Sequence, residues 1–473
     1  MRLAFALYGQ VAGVIDRDGE RTRLEYLPEY RIHENPTPLS LSMPVSATPY
    51  SGRAVEAYLR GLLPDHAEVR QRWARKAGVR TGNTLGLIAH VGLDVPGGAV
   101  FTSEDAIDDA INRPGELTPA SDAAIADKLR RIRHDDAAWQ DDDDAHWSLA
   151  GAQSKFTLAR TPDGWAFADG SAPSTHIVKP GIGRIRAQAL SEHVSMRALA
   201  LVGLEIAETH YLAFEDQDAI VVTRFDRRTA ASGATIRIHQ EDVVQAHGMD
   251  PSRKYESDGG PGAQRIADLL RTAADAASIE RFARAVIANQ ILGAPDAHGK
   301  NYGLLLIGGS ATLAPLYDVA TGLIPDAAGR LRYPKGAMSI GGERRFGDVE
   351  LGNWEKFARA LGLPVAQVVD WVDDLATTIP PAFAQAAEET DSPDADFLAG
   401  AVATNIAAVA QQTREGLAST RRSGGRVVTP FIETLPGQGR AGRRAHKQAA
   451  AAPAEPNAEL TQDASIQDDR WGA

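Results

Sequence analysis

The 473-residue chain is long enough for two or three substructures with sizeable cores, and its 43% hydrophobic and 24% charged content is that of a folded globular protein. The absence of cysteine excludes disulfides and thiolate chemistry, and a net charge of -12 argues against gripping nucleic acid through the overall field. The sequence holds no run of about 20 apolar residues of the kind that spans a bilayer, the start MRLAFALYGQ carries no basic region and cleavage site, and the 12 histidines show no HExxH spacing. A cytoplasmic protein without a membrane or zinc is therefore expected.

In chain order, Leu3–Ile15 and Thr22–Leu27 are strand-like with Asp18-Gly19 in the turn between them, and LSLSMPV (Leu39–Val45) alternates like a half-buried strand. Ser51-Gly52 opens a helix on which Val55, Tyr58, Leu59 and Leu62 recur at helical spacing until Pro64 stops it. Helices over about His66–Lys76 and Thr84–Val91 and the turn Pro96–Gly98 complete an α+β unit, residues 1–102. Residues 103–146 read as an acidic connector, helical in part over about Pro119–Arg133 and ending in the run Gln140–Asp144. Consecutive carboxylates repel, which favours a solvated face over a metal site.

Residues 147–228 begin with SLAGAQSKFTLAR (Ser148–Arg160), a loop of small residues leading into a strand, turned by Pro162-Asp163-Gly164 into Trp165–Ala168. Such a loop can present N–H groups to phosphate oxygens, or be no more than the start of a hairpin. THIVKP (Thr175–Pro180) ends a short β-type run on Lys179. That lysine is either a surface residue or a point charge for bridging phosphates, held by Glu192 on the predicted helix Arg186–Leu201, which Gly203 ends. Strands over about Leu204–Phe214 and Ala219–Arg224 follow, and Val221–Phe225, including Val222 and Phe225, can offer backbone groups to an adenine edge.

Residues 229–429 are expected to be mainly helical. HQEDVVQ starts a helix with Gln240, Glu241 and Asp242, whose charges are read as complementing the helix dipole. Ser278 is the predicted cap of a helix to Leu292, with Phe282 and Val286 facing inward and Gly293 and Pro295 ending it. Further helical patterns cover Asn353–Leu361, Val365–Leu375 and Asp394–Leu417. From about Pro430 to 473 Gly, Ala, Pro and Gln replace patterned apolar residues, and the basic GRAGRRAHK (Gly439–Lys447) reads as a solvated tail without fixed fold.

The stretch Asn289–Asp318 organises this plan. Strands Tyr302–Ile307 and Thr312–Tyr317 around Gly308-Gly309-Ser310-Ala311 predict a hairpin with a four-residue loop, and pairing Ile307 with Thr312 also pairs Asn301 with Asp318. Two oxygen ligands at one open end suit Mg2+, which leaves its other positions to water and phosphate. Asp296 precedes Asn301 by five residues, the offset of catalytic Asp and metal-binding Asn in protein-kinase loops, although Asp and Asn also crowd ordinary turns.

Taken together and in this order, LSLSMPV, PYSG, LLPD, HWSLAGAQSK, HIVKP, VVTRFDRR, HQEDVVQ, KYESDGG, PDAHGKN and LAPLYDV resemble the HipA family of bacterial toxin kinases. The resemblance implies a two-lobed, protein-kinase-like α+β fold, with a mixed β-rich N-terminal lobe and a mainly α-helical C-terminal lobe around ATP and Mg2+. It implies that Asp296 is the catalytic base, with His298 and Lys300 in the same catalytic loop, that Asn301 and Asp318 hold Mg2+, and that Lys179 meets the ATP phosphates. Ala150, Gly151, Ala152, Gln153, Ser154 and Lys155 would form the phosphate loop, with Ser154 standing where many relatives carry Glu. Ser148 matches the autophosphorylated serine of the family. The implied partners are a small helix-turn-helix antitoxin, operator DNA reached mainly through it, and a protein substrate such as an aminoacyl-tRNA synthetase. A small-molecule or lipid kinase shares the Asp-to-Asn offset, and a nucleotide-binding regulator without catalysis is the third reading; retention of Lys179, Asp296, Asn301 and Asp318 argues against the last.

Overall fold

The computed structural model describes residues 1–19, 21–113, 115–139 and 147–418. The Asp141–Asp144 run and everything from residue 419, including the predicted tail, lie outside the described residues. Among the described residues no helix is long and apolar enough to cross a membrane.

The N-terminal unit is an antiparallel sheet in the order Tyr50–Ser51, Arg21–Tyr26, Gln10–Asp18, Arg2–Leu7, Val100–Thr102, with helices Arg53–Gly61, Ala67–Lys76 and Thr84–Val91 packed on it. The expected single strand Leu3–Ile15 is instead two, because Tyr8 and Gly9 both adopt positive φ and close a two-residue hairpin. LSLSMPV is not a strand either. Its backbone is held by side chains, Leu39 N–H donating to the Tyr26 hydroxyl and Leu41 N–H to the Glu241 carboxylate, so its alternation reflects burial without a ladder.

The next sheet runs Thr209–Phe214, Gln217–Thr223, His176–Lys179, Phe156–Thr161, Gly164–Ala168, Leu117–Ala120. Its two faces are read directly from period-two alternation: Val221 joins the core shared with the N-terminal unit, while Ile220 and Val222 face helix Gln188–Leu201. The stretch expected to be a connector supplies the edge strand Leu117–Ala120 and helix Asp122–His134. Ser121 caps that helix, and Ile125, Leu129 and Ile132 are buried at helical spacing.

The remaining described chain is a helical lobe around Ala276–Leu292, on which Phe282 and Val286 are buried as expected. Asp275, rather than Ser278, caps this helix, its carboxylate accepting from Ser278 N–H. Helix Val365–Glu388 runs past Leu375, where the pattern was expected to stop, and on through Pro380 and Pro381. A helix-interior proline costs about 3 kcal/mol. Val368, Val372, Leu375, Ile379 and Phe383 of this helix are all fully buried, and at roughly 1.5–3 kcal/mol each their packing outweighs both breaks.

A three-stranded sheet of His239–Asp242, Gly303–Ile307 and Ser310–Leu313 sits where the lobes meet. Gln240 and Glu241 therefore belong to a strand, and only Asp242 caps the short helix Val243–Ala246, in a reciprocal pair with Gln245.

Candidate active site

The hairpin is closed by Gly308-Gly309 alone, with Ile307 opposite Ser310 and Leu304 opposite Leu313. Its register is thus shifted by two residues from the expected one, and the ladder ends before Asp318. Asn301 and Asp318 meet nonetheless: Asn301 Nδ2 donates to the Asp318 carbonyl at 3.4 Å, and Asp318 turns back at φ 59°, a left-handed conformation uncommon for a residue with a side chain.

Both line a cleft between the lobes of about 1350 Å³, open mouth included, together with Ala150, Gly151, Ala152, Gln153, Lys155, Lys179, Val222, Phe225, Asp296, His298 and Lys300. Two of the expected residues stand outside the lining. Ser154 Oγ donates to the Asp136 carbonyl at 3.0 Å, and Ser148 is fully buried behind the loop, its Oγ donating to Leu62 O at 2.6 Å.

Lys179 leaves the end of its strand and donates to Glu192 Oε1 at 2.7 Å and to Asp318 Oδ1 at 2.5 Å. Burial disfavours its charge, but the two carboxylates outweigh burial and hold the ammonium above its ordinary range. Burial likewise acts against the Asp318 charge, and Lys179 and Lys155 overcome it, so this carboxylate stays ionised. Glu192 is pushed up by burial, and its second oxygen has no protein partner.

In the loop Ala150–Lys155, Lys155 Nζ donates to Ala150 O at 2.8 Å, and burial followed by the neighbouring Lys179 pulls its pKa down to about 8. Gly151 has φ 101°, a backbone conformation that favours glycine, and Lys155 Nζ is the group nearest to where a Cβ would stand, at 2.8 Å. At and just beyond the end of Val221–Phe225, Arg224 and Arg227 are buried against Asp94 and Asp226, and the bond to Asp94 pins this stretch to the N-terminal unit.

Asp296 lies in the loop between Gly293 and Gly299 and is a fifth exposed at the cleft wall. Burial pushes its pKa up to about 7, against the opposing influence of Lys254 and of the Tyr255 hydroxyl, which donates to Asp296 Oδ1 at 2.5 Å. His298 stacks edge-on against Tyr255 at 4.8 Å, and burial drives its pKa down to about 3, so it is neutral. Lys300 Nζ donates to Asp65 Oδ1 at 2.7 Å. Asp65, Lys254 and Tyr255 are site residues that sequence reasoning missed. Two of the motifs, LLPD and KYESDGG, contain them, but nothing in their local spacing marks a shared site.

A buried lysine clamped by a helical glutamate, facing an Asp and Asn pair and a separate raised carboxylate across an interlobe cleft, defines a kinase of the protein-kinase-like class. Residues 3–102 match the family described as HipA N-terminal domain, and residues 147–383 match the HipA-like C-terminal domain. The chain is 32% identical over 394 residues to "Putative kinase Y4mE" of Sinorhizobium fredii, covering 81% of this chain and 91% of the relative. It is 26% identical over 410 residues to the serine/threonine-protein kinase toxin HipA of Shewanella oneidensis, covering 81% and 88%. The solved complex of Shewanella oneidensis MR-1 HipA with HipB and operator DNA shares the fold, with a TM-score of 0.75 at 24% identity over 87% of this chain and 97% of that one. The chain belongs to the HipA family and is a serine/threonine-protein kinase, which implies ATP as its phosphoryl donor.

Proposed function

We propose that this kinase transfers the γ-phosphoryl group of ATP, with Mg2+, to serine hydroxyls of a protein and acts as a growth-arresting toxin in the cytoplasm. The observation that carries the reading is the meeting of Lys179, Glu192, Asn301 and Asp318 in the cleft that Asp296 faces. Asp296 takes the proton of the attacking hydroxyl as its oxygen bonds to the γ-phosphorus and the bond to the β–γ bridging oxygen breaks, releasing ADP. Lys179 and Lys155 bring positive charge to the phosphates, and the backbone of Ala150–Lys155 offers N–H donors to them. Val222 and Phe225 border the base. One amide and one carboxylate, Asn301 and Asp318, fit Mg2+ better than a closed all-protein cage would; bound there, the metal would neutralise charge on the transferring phosphates.

The target proposed is a translation component such as an aminoacyl-tRNA synthetase. The partner proposed is a helix-turn-helix antitoxin through which operator DNA is reached, a reading supported by the HipB and operator DNA in the complex of the Shewanella relative. Incubation with labelled ATP and either a cell lysate or a metabolite panel tests the substrate class. Label in protein supports the reading, and label confined to a metabolite favours a small-molecule kinase.

The acid limb of kcat/KM follows from Asp296. A base must be unprotonated, so with a pKa of about 7 the rate falls roughly tenfold per pH unit below that value. Tyr255→Phe removes a hydrogen bond that favours the carboxylate, and the limb then moves to higher pH. A pH–rate profile of both proteins checks the sign.

Ser148 is the proposed autophosphorylation site and off switch. Its buried hydroxyl donates to a carbonyl, whereas an ionised phosphate is acceptor-only and carries about two negative charges, so modification requires the loop to leave its seat. Ser148→Ala loses one buried hydrogen bond, about 1 kcal/mol, keeps ATP binding and escapes self-inactivation. Intact-mass spectrometry after incubation with ATP and Mg2+ is expected to place one phosphate on Ser148 of the wild type and none on Ser148→Ala.

A further inference from the structure

We propose that Asp65, carried by the N-terminal unit, is a positioning residue for phosphoryl transfer, holding Lys254 and Lys300 in place beside Asp296. The proposal deepens the kinase reading above and rests on it.

Asp65 lies just beyond helix Arg53–Gly61, far in sequence from both lysines. Its Oδ1 accepts from Lys300 Nζ at 2.7 Å and its Oδ2 from Lys254 Nζ at 3.1 Å, so both carboxylate oxygens are used. The two ammonium groups are 5% and 11% exposed and would repel each other without an anion between them. All three residues line the cleft with Asp296, Asn301 and Asp318.

Each lysine belongs to a segment that builds the transfer site. Lys300 sits between Asp296 and Asn301, and Lys254 precedes Tyr255, whose hydroxyl donates to Asp296. The Lys254 carbonyl also accepts from Gly299 N–H at 3.1 Å, which locks the two segments together. A lysine is a flexible stem bearing a compact charge, and only a fixed acceptor gives it one position.

The same stretch of the N-terminal unit also seats the phosphate loop. Asp65 N–H donates to Gly151 O at 2.9 Å, Pro64 bridges Gly151, and Leu62 O accepts from Ser148. Residues 62–65 thus set where the phosphate loop stands relative to the catalytic loop. Misplacing reacting groups by about 1 Å can cost about 100-fold in rate, so this tether bears on the chemical step.

The test uses the full-length protein as wild type, Asp65→Asn, Asp65→Glu, Lys300→Met and the Asp65→Asn/Lys300→Met double variant. Measured are the initial rate of label incorporation into protein in a cell lysate at saturating γ-labelled ATP, the ATP dissociation constant and the melting temperature. Expected for Asp65→Asn is a rate loss of at least about tenfold with ATP affinity changed less than about threefold, since the lysines persist but lose their anchor. Asp65→Glu, which keeps the charge, recovers part of the rate and covers the case in which Asp65→Asn folds poorly. In the double variant the losses fall short of multiplying, because Asp65 acts through Lys300.

Wild-type rates in Asp65→Asn, or losses that multiply fully in the double variant, overturn the positioning role and leave the kinase reading intact. Equal loss of rate in Asp65→Asn and Asp65→Glu with a matching fall in melting temperature reduces Asp65 to an interdomain ion pair and also overturns it. A wild type that labels no protein brings down the proposed protein-kinase activity on which this inference rests, and is recognised by that control alone.

Discussion

Asp296→Asn lowers phosphate transfer by at least about 100-fold, within the range that a positioned general base contributes, while ATP affinity stays within about twofold of wild type. The amide keeps the shape and can still accept from the Tyr255 hydroxyl, but it cannot take up the proton of an attacking serine. Burial already opposes the charge of this carboxylate, so its neutral replacement is expected to melt no lower than the wild type. Single-turnover transfer, nucleotide titration and a thermal melt separate these quantities. Wild-type transfer in the variant would remove Asp296 from the role of base.

Lys179→Met is expected to have the largest effect on stability. It leaves Glu192, 1% exposed, and Asp318 facing each other with no cation between them. Removing one partner of a buried ion pair costs about 3–5 kcal/mol, far more than the roughly 0–1 kcal/mol of an exposed pair such as Arg113–Asp109. Transfer and nucleotide affinity are expected to fall with it, because the ammonium proposed to meet the phosphates is gone. Adding Glu192→Gln should return part of the stability, since it removes the stranded charge, and none of the activity. Urea unfolding of the single and double variants measures the first, and a transfer assay the second.

The contrast between Lys179 and Asp65 marks how far the site could be read from the chain. The Lys179–Glu192 pair was legible because a strand end and the following helix are neighbours in sequence, and their geometry is largely local. Asp65 clamps lysines 189 and 235 residues away, and only the docking of the N-terminal unit on the helical lobe brings them together. Asn301 and Asp318 were expected to meet and do, but by a different route: the hairpin is tighter than expected, and the positive φ of Asp318 replaces the assumed ladder.

The fold was legible in kind, a two-lobed kinase-like α+β chain with a helical C-terminal lobe. In three elements contacts distant in sequence overrode local pattern. The acidic stretch after residue 103 gained a strand because the edge of Gly164–Ala168 was open to it. LSLSMPV lost its strand because Glu241 and Tyr26 took up its backbone donors. Helix Val365–Glu388 survived two prolines because both sides of the break are packed.

The most direct measurement is phosphoproteomics of cells after brief induction of the intact protein and of Asp296→Asn at matched abundance. New phosphoserine sites are expected on at least one protein of the translation machinery, present with the intact protein and absent with the variant, together with growth arrest only in the former. Identical phosphoproteomes, with or without growth arrest, would contradict the proposed function.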